Sequence, residues 1–142
     1  MHTLWTLLDV LMASAGPSDT GIRHLEDVFG VPMRPVSENN YVVFYEASRP
    51  IELKDGVTIQ KVDIRKFREE GKAPLIVLNL AGTCVNAKDI ESHIGSLSAP
   101  APPSHPVPNA QIQRQAQVKQ RTIALGFKYD QPECLYSITL RP

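Results

Sequence analysis

The sequence predicts an α+β domain in which a single, mainly antiparallel, twisted sheet packs against two or three short helices. Apolar residues recur at helical spacing in three short segments and alternate or cluster at strand length in several others, with turn residues between them. The chain has 142 residues, which is enough for one hydrophobic core and too few for two independently folding domains. Residues 1–142 are therefore expected to form one domain.

The charge balance of the chain argues against two classes of partner. Fifteen Lys and Arg residues balance fifteen Asp and Glu residues, so the formal net charge is zero. Such a chain has no overall field that would concentrate a nucleic acid or an anionic lipid surface. No apolar run approaches the roughly 18 residues that a membrane span needs. We expect a soluble globular domain that neither binds nucleic acid nor inserts into a membrane.

Residues 1–16 are interpreted as an N-terminal helix or as the remnant of a signal peptide. Thr3 is placed to cap the helix, and Gly16-Pro17 to end it. Ala13-Ser14-Ala15 has the small-residue pattern of a signal cleavage site, but no basic segment precedes the apolar stretch and Asp9 interrupts it. The helix is therefore favoured. Its apolar stripe consists of Leu4, Leu7, Leu8, Leu11 and Met12.

A first helix-plus-strands unit is predicted over 18–82. Its helix runs from Ser18 to Phe29, with Ser18 or Asp19 as the N-cap and Gly30 as the end. Pro32 and Pro35 then impose an extended segment. Asp55-Gly56 is typical of a tight hairpin turn, and the charged segment 67–72 is expected to loop out. Strands are predicted over 41–47, 51–54 and 75–80, with a further long strand beginning at Val57.

Two strands of this unit carry specific structural expectations. Val57 and Ile59 have one parity and Val62 and Ile64 the other, so a β-bulge near Gln60-Lys61 is needed to bring all four to the core. The segment 75–80 is apolar at both parities except at Asn79. This pattern predicts a central strand that is covered on both faces.

A second unit is predicted over 83–142. Its helix spans 85–94, with Asn86 as the N-cap and Gly95 as the end. The segment 99–108 holds five prolines and is expected to be a stiff linker or edge loop. A terminal hairpin follows, with one strand facing the core through Ile123, Leu125, Phe127 and Tyr129 and the other through Cys134, Tyr136, Ile138 and Leu140.

The two internal helices align with each other, Leu25 with Ile90 and Gly30 with Gly95. One explanation is a degenerate tandem repeat of a helix followed by antiparallel strands. The other is that short amphipathic helices ending in glycine resemble one another. The sequence leaves both explanations open.

Cys84 and Cys134 each lie beside a predicted regular element. They form either one disulfide or two buried thiols. We favour the disulfide because both residues lie at junctions between loops and elements, and closing so long a loop stabilises a fold by about 4 kcal/mol. A disulfide would indicate an oxidising compartment such as a periplasm.

The chain lacks the usual sequence signatures of an enzyme, including the nucleophile elbow, the phosphate-binding loops and the zinc-binding His-Glu-x-x-His helix. His24 and His93 lie singly on their helices, so no metal or cofactor is predicted. Two polar regions are candidates for partner binding: the loop 36–41 and the mixed-charge segment 61–72. The predicted contact residues are Glu38, Asn39, Tyr41, Arg65, Arg68 and Glu69.

Four segments together resemble a class of small secreted bacterial proteins encoded beside interbacterial toxins. They are the helix ending Val28-Phe29-Gly30, the aromatic strand 41–47, the strand 75–82 that runs into Cys84, and the late hairpin 126–135. In these features the chain resembles the periplasmic immunity proteins of type VI secretion lipase effectors. The resemblance covers 19–140 and lies in layout and cysteine placement. It implies a non-catalytic inhibitor that binds a cognate toxin in the periplasm and blocks its active site or its access to membrane.

Two other functions fit the same sequence. The first is a periplasmic or outer-membrane-associated assembly or binding module without catalytic activity. The second is a small enzyme whose site follows no familiar motif, which would require a cleft with convergent polar groups. The sequence leaves the identity of the toxin, the binding face and the oligomeric state open.

Overall fold

The computed structural model describes residues 2–13, 21–101, 110–118 and 121–142. These residues form one antiparallel sheet of order β1-β2-β4-β5-β8-β7-β6, with the short β3 paired to β4, and three helices. The predicted α+β class is confirmed. The elements are α1 (Leu4–Ala13), α2 (Ile22–Phe29), β1 (Met33–Glu38), β2 (Val42–Ala47), β3 (Ile51–Glu52), β4 (Val57–Phe67), β5 (Leu75–Gly82), α3 (Ala87–Ile94), β6 (Gln111–Val118), β7 (Arg121–Lys128) and β8 (Gln131–Leu140).

The hydrophobic core lies between one face of the sheet and the three helices. Leu25 and Phe29 of α2 and Ile90 of α3 are buried in one cluster, and Ile94 packs against it partly buried. Both internal helices therefore lie on the same face of the sheet, as their apolar spacing predicts. We call this the covered face, and the opposite side of the sheet the open face.

The N-terminal helix α1 belongs to the core. All five residues of its predicted apolar stripe are buried, and the Thr3 hydroxyl accepts a hydrogen bond from the Thr6 amide at 3.2 Å as an N-cap. The Asp55 carboxylate accepts one from the Leu4 amide at 3.0 Å, which joins α1 to the β3–β4 turn. The interpretation as an amphipathic helix is confirmed. The predicted end at Gly16-Pro17 lies outside the described residues.

The ends of α2 and α3 follow the predicted capping signals with one difference. Gly30 takes the left-handed conformation and donates its amide to the Glu26 carbonyl, ending α2 as predicted. The Asn86 side chain accepts from the Asp89 amide at 2.9 Å and caps α3. The start of α2 differs, because the helix begins after Gly21, which provides no side-chain cap. Ser18 and Asp19, the predicted caps, lie outside the described residues.

The predicted β-bulge in β4 is confirmed. The pairing of β4 with β5 shifts register between Ile59 and Lys61, so Gln60 is the extra residue. After the shift the even-numbered residues of the strand face the core, whereas before it the odd-numbered ones do. The apolar residues on both sides of the shift are therefore buried: Val57, Ile59, Val62 and Ile64.

A second irregularity changes the predicted face of β8. Register shifts on either side of Phe127 place Leu135 opposite it, and Leu135 is buried while Tyr136 is only half-buried. Tyr129, expected on the core side of β7, lies exposed in the turn that follows. The strict alternation predicted for this hairpin is therefore wrong near its turn, because a bulge reverses the parity of the strand.

Strand β6 was not predicted from the sequence. Its residues alternate between glutamines, which face the open side, and Ile112, Arg114, Ala116 and Val118. A strand with so little apolar content has a weak hydrophobic pattern. It lies at an edge of the sheet, where Ser98 and Ala101 hydrogen-bond to its backbone. The structure describes residues 99–101 of the proline-rich segment, and they lie along this edge. This agrees with the predicted edge loop.

The topology is compatible with a tandem repeat. Strands β2, β4 and β5 follow one another toward the centre of the sheet from one side, and β6, β7 and β8 do so from the other edge. Because β5 and β8 are antiparallel neighbours, a two-fold rotation about an axis perpendicular to the sheet between them exchanges β5 with β8, β4 with β7 and β2 with β6. The same rotation keeps α2 and α3 on one face, where both pack in the core. The tandem repeat stays a prediction beside the simpler explanation that short amphipathic helices ending in glycine resemble one another.

Gly82, at the end of β5, is expected to be the more sensitive of two left-handed glycines. Its φ is 81°, and a Cβ there would collide with the Gly56 backbone oxygen, whereas Gly71 has φ 77° and nothing within 4 Å. We expect Gly82→Ala to lower the free energy of unfolding by about 2–3 kcal/mol and Gly71→Ala by about 1 kcal/mol. Urea unfolding of both variants tests this, and equal losses would contradict the predicted backbone collision.

Candidate functional site

The open face of the sheet is not covered by any described helix. In β5 the residues Ile76, Leu78 and Leu80 are buried, whereas Leu75 and Val77 on the open face are only half-buried. The prediction that this central strand is covered on both faces is therefore wrong. The second apolar parity of β5 faces outward, and this is the feature that distinguishes the open face from an ordinary solvated sheet surface.

A shallow cleft of about 490 Å³ lies on this face across β1, β2, β4 and β5. The guanidinium carbon of Arg65 lies 5.4 Å from the centroid of the Phe44 ring, a cation–π contact that orients both side chains. We define the open-face cleft by its lining residues Val36, Phe44, Arg65, Leu75 and Val77.

Three charged side chains border the open-face cleft. Glu46 and Asp63 are directly opposite each other on β2 and β4, and the Lys61 ammonium lies 3.5 Å from the Glu46 carboxylate and 3.8 Å from that of Asp63. Burial raises the pKa of the Asp63 carboxyl, the Glu46 carboxylate raises it further, and Lys61 and Arg65 oppose the rise. The charges on this border are therefore paired with one another, Lys61 with the two carboxylates.

The second polar feature is the β1–β2 tip, which we define as Glu38, Asn39, Tyr41 and Arg68. The Arg68 guanidinium contacts the Glu38 carboxylate at 2.7 Å and donates to the Asn39 carbonyl at 3.0 Å. The Asn39 side chain accepts from the Tyr41 amide at 2.8 Å and so shapes the turn. Tyr41 is 77% exposed. The tip is an ordered turn that presents one aromatic ring to solvent.

The structure brings together four of the six predicted contact residues, which are the four of the tip. Glu69 follows Arg68 in the turn after β4, while Arg65 lies on the open face rather than in a loop. The predicted loop over 36–41 is shorter than expected, because Val36, Ser37 and Glu38 belong to β1.

The sequence interpretation missed Phe44, Leu75 and Val77 as surface residues. Their apolar character assigned them to the core, and nothing local in the sequence distinguishes a strand covered on two faces from one covered on a single face. The double apolar parity of β5 was the available signal, but it could be interpreted in either way.

The predicted disulfide joins Cys84 to Cys134 across 50 residues. Beside it the register of β5 with β8 ends at Asn79 opposite Ser137, and the strands separate around a cleft of about 370 Å³. Lys128 lies in this cleft with its ammonium 4.6 Å from the Tyr136 ring. This cleft exposes somewhat more polar than apolar surface, whereas the open-face cleft is mainly apolar.

The described residues show neither a metal site nor a membrane span. No three His, Cys, Asp or Glu side chains among them lie close enough to hold a metal ion. His93 of α3 stacks on Trp5 of α1 with ring centroids 4.1 Å apart, and so joins two helices. None of the described helices is both long and apolar enough to cross a bilayer.

Comparison with known proteins adds no relative. No family model matches the chain, and no curated protein or solved structure matches it either. Conclusions about function therefore depend on the residues of this chain.

Proposed function

We propose that the protein is a non-catalytic immunity protein that binds and neutralises a cognate antibacterial toxin, a type VI lipase-type effector, in the periplasm. The observation that carries the proposal is the open-face cleft, where Phe44, Leu75 and Val77 lie partly exposed in the middle of an ordered sheet. Apolar and aromatic side chains beside arginines are the composition of a protein-binding hot spot.

A rigid surface suits an inhibitor. The open-face cleft is formed by strands of one continuous sheet. The tip is fixed by a hydrogen bond that Arg68 donates to the Asn39 carbonyl and by one that the Asn39 side chain accepts from the Tyr41 amide. Side chains that are already ordered lose little conformational entropy when a partner docks, so more of the contact energy appears as affinity. We therefore assign partner binding to this ordered surface rather than to a loop that becomes ordered only on contact.

The Cys84–Cys134 disulfide supports the proposed compartment. Disulfides persist in oxidising environments outside the cytoplasm and are rare inside it. The structure thus supports an extracytoplasmic location, and the periplasm is the finer assignment that we propose together with the toxin.

The test is a triple substitution of the proposed contact surface. We expect Tyr41→Ala, Arg65→Ala and Arg68→Ala together to weaken binding of the product of the neighbouring toxin gene by at least about 100-fold, since one hot-spot truncation costs about 2 kcal/mol and such costs do not add fully. The urea concentration at the midpoint of unfolding should stay close to that of the wild type, because all three side chains are exposed. Binding is measured by calorimetry and protection by survival of cells that express the toxin.

A matched control places two substitutions on the helical side, Arg23→Ala and Lys88→Ala, where both residues are exposed. This control should bind and protect like the wild type. If cells that lack the protein survive the neighbouring effector unharmed, the immunity function is wrong. If the triple variant protects as well as the wild type, the proposed surface is wrong.

A further inference from the structure

The open face carries two cations that stack on aromatic rings of the same face. Arg65 lies over Phe44 at 5.4 Å, and the Lys72 ammonium lies over the Phe67 ring at 4.2 Å. Phe67 follows Arg65 by two residues in β4 and so shares its face, about 7 Å further along the strand. The two cation–π pairs form one strip beside the open-face cleft.

These two cations differ from their neighbours in how their charge is balanced. Lys61 has carboxylates of Glu46 and Asp63 within 4.0 Å, and Arg68 has that of Glu38. In the part of the chain that the structure describes, neither Arg65 nor Lys72 has a carboxylate within that distance. Their rings hold them in place, while their hydrogen-bond donors stay available at the edge of the cleft.

We infer that the docking segment of the partner is acidic, presenting a carboxylate to Arg65, a second one to Lys72 and an apolar side chain to the open-face cleft. A guanidinium held over a ring can still donate two parallel hydrogen bonds to a carboxylate through its free edge. The cleft of about 490 Å³ has room for a leucine-sized side chain beside that carboxylate. The inference rests on the proposed function for the identity of the partner.

The opposite border of the cleft fixes the direction of this segment. Glu46 and Asp63 already share the single ammonium of Lys61, so an incoming carboxylate would meet like charge there. An acidic segment is therefore favoured on the Arg65 side and disfavoured on the Glu46 side. Charge thus selects one of the two ways in which an extended segment can cross the strands.

The test uses a peptide and needs no toxin. The ¹⁵N-labelled protein is titrated with acetyl-Leu-Glu-Glu-amide and, separately, with acetyl-Leu-Gln-Gln-amide, which has the same shape without charge. We expect saturable amide shifts at Phe44, Arg65 and Val77 with the acidic peptide and several-fold smaller shifts with the neutral one. Arg65→Gln with Lys72→Gln should abolish the difference, whereas Arg49→Gln with Lys54→Gln, two exposed cations elsewhere, should preserve it.

Each contrary outcome overturns the inference. Equal shifts with both peptides, shifts located elsewhere, or no saturable shift up to the solubility limit of the acidic peptide would each show that this face does not select acidic segments. The protection assay above tests the immunity function separately. An acidic-peptide response in a protein that fails to protect would leave this inference standing and remove only the proposed function.

Discussion

Reduction of the Cys84–Cys134 disulfide is expected to lower the free energy of unfolding by about 4 kcal/mol. The bond closes a loop with a sequence separation of 50 residues, so the reduced, unfolded chain regains the freedom that the loop removes. In the native fold the bond ties the segment before α3 to β8. At this place the β5–β8 pairing has ended, and beside the disulfide the Leu135 amide donates a hydrogen bond to the Val85 carbonyl at 2.8 Å.

Urea unfolding with and without dithiothreitol measures this loss directly. The chain contains two cysteines, so the reductant has no other disulfide to act on. The matched control is the Cys84→Ser, Cys134→Ser double variant, which should have the stability of the reduced protein in both buffers. A difference below about 0.5 kcal/mol between oxidised and reduced protein would show that the unfolded loop gains little freedom.

The parts of the fold that the sequence predicted are those specified by residues near one another in the chain. The five-residue apolar stripe of α1 and the caps at Thr3 and Asn86 depend on contacts within one or two helical turns. The bulge at Gln60 could be deduced because four buried residues cannot share a face without it. Local periodicity was therefore enough to predict these elements and one β-bulge.

The parts that were missed depend on distant partners. Strand β6 is stabilised by pairing with β7 and by the segment along its edge, while its glutamines give little hydrophobic signal. The parity of β8 at Leu135 depends on bulges opposite Phe127 that no local pattern marks. Strand order and register are decided by long-range pairing, which a single sequence does not report.

The candidate site divides along the same line. The tip was predicted because polar turn residues beside an exposed tyrosine and arginines are recognisable locally, and Asn39 and Arg68 do organise it. The apolar half of the site was not predicted, because Phe44 and Val77 are indistinguishable from core residues until the uncovered face is known. A binding surface that reuses strand residues is therefore harder to find than one built on a turn.

Truncation of Phe29 in α2 or Ile90 in α3 is expected to lower the free energy of unfolding by about as much as reduction of the disulfide does. Phe29 is 5% exposed and Ile90 is 1% exposed, and both belong to the core cluster beneath the sheet. Phe29→Ala and Ile90→Ala should each lower the free energy of unfolding by about 2–5 kcal/mol, through lost burial and the cavity that remains. Urea unfolding followed by circular dichroism measures both losses.

The comparison with Ile94→Ala makes this prediction specific to burial rather than to helix disruption. Ile94 ends the same helix as Ile90 but is only partly buried, so its truncation removes less contact area from the core and should cost clearly less. Lys88→Ala, exposed on α3, should be close to neutral because alanine favours a helix. Losses below about 0.5 kcal/mol for Ile90 and Phe29 would make the helices peripheral. The sheet would then have to be stable with both faces uncovered, which its one-sided pattern of buried residues contradicts.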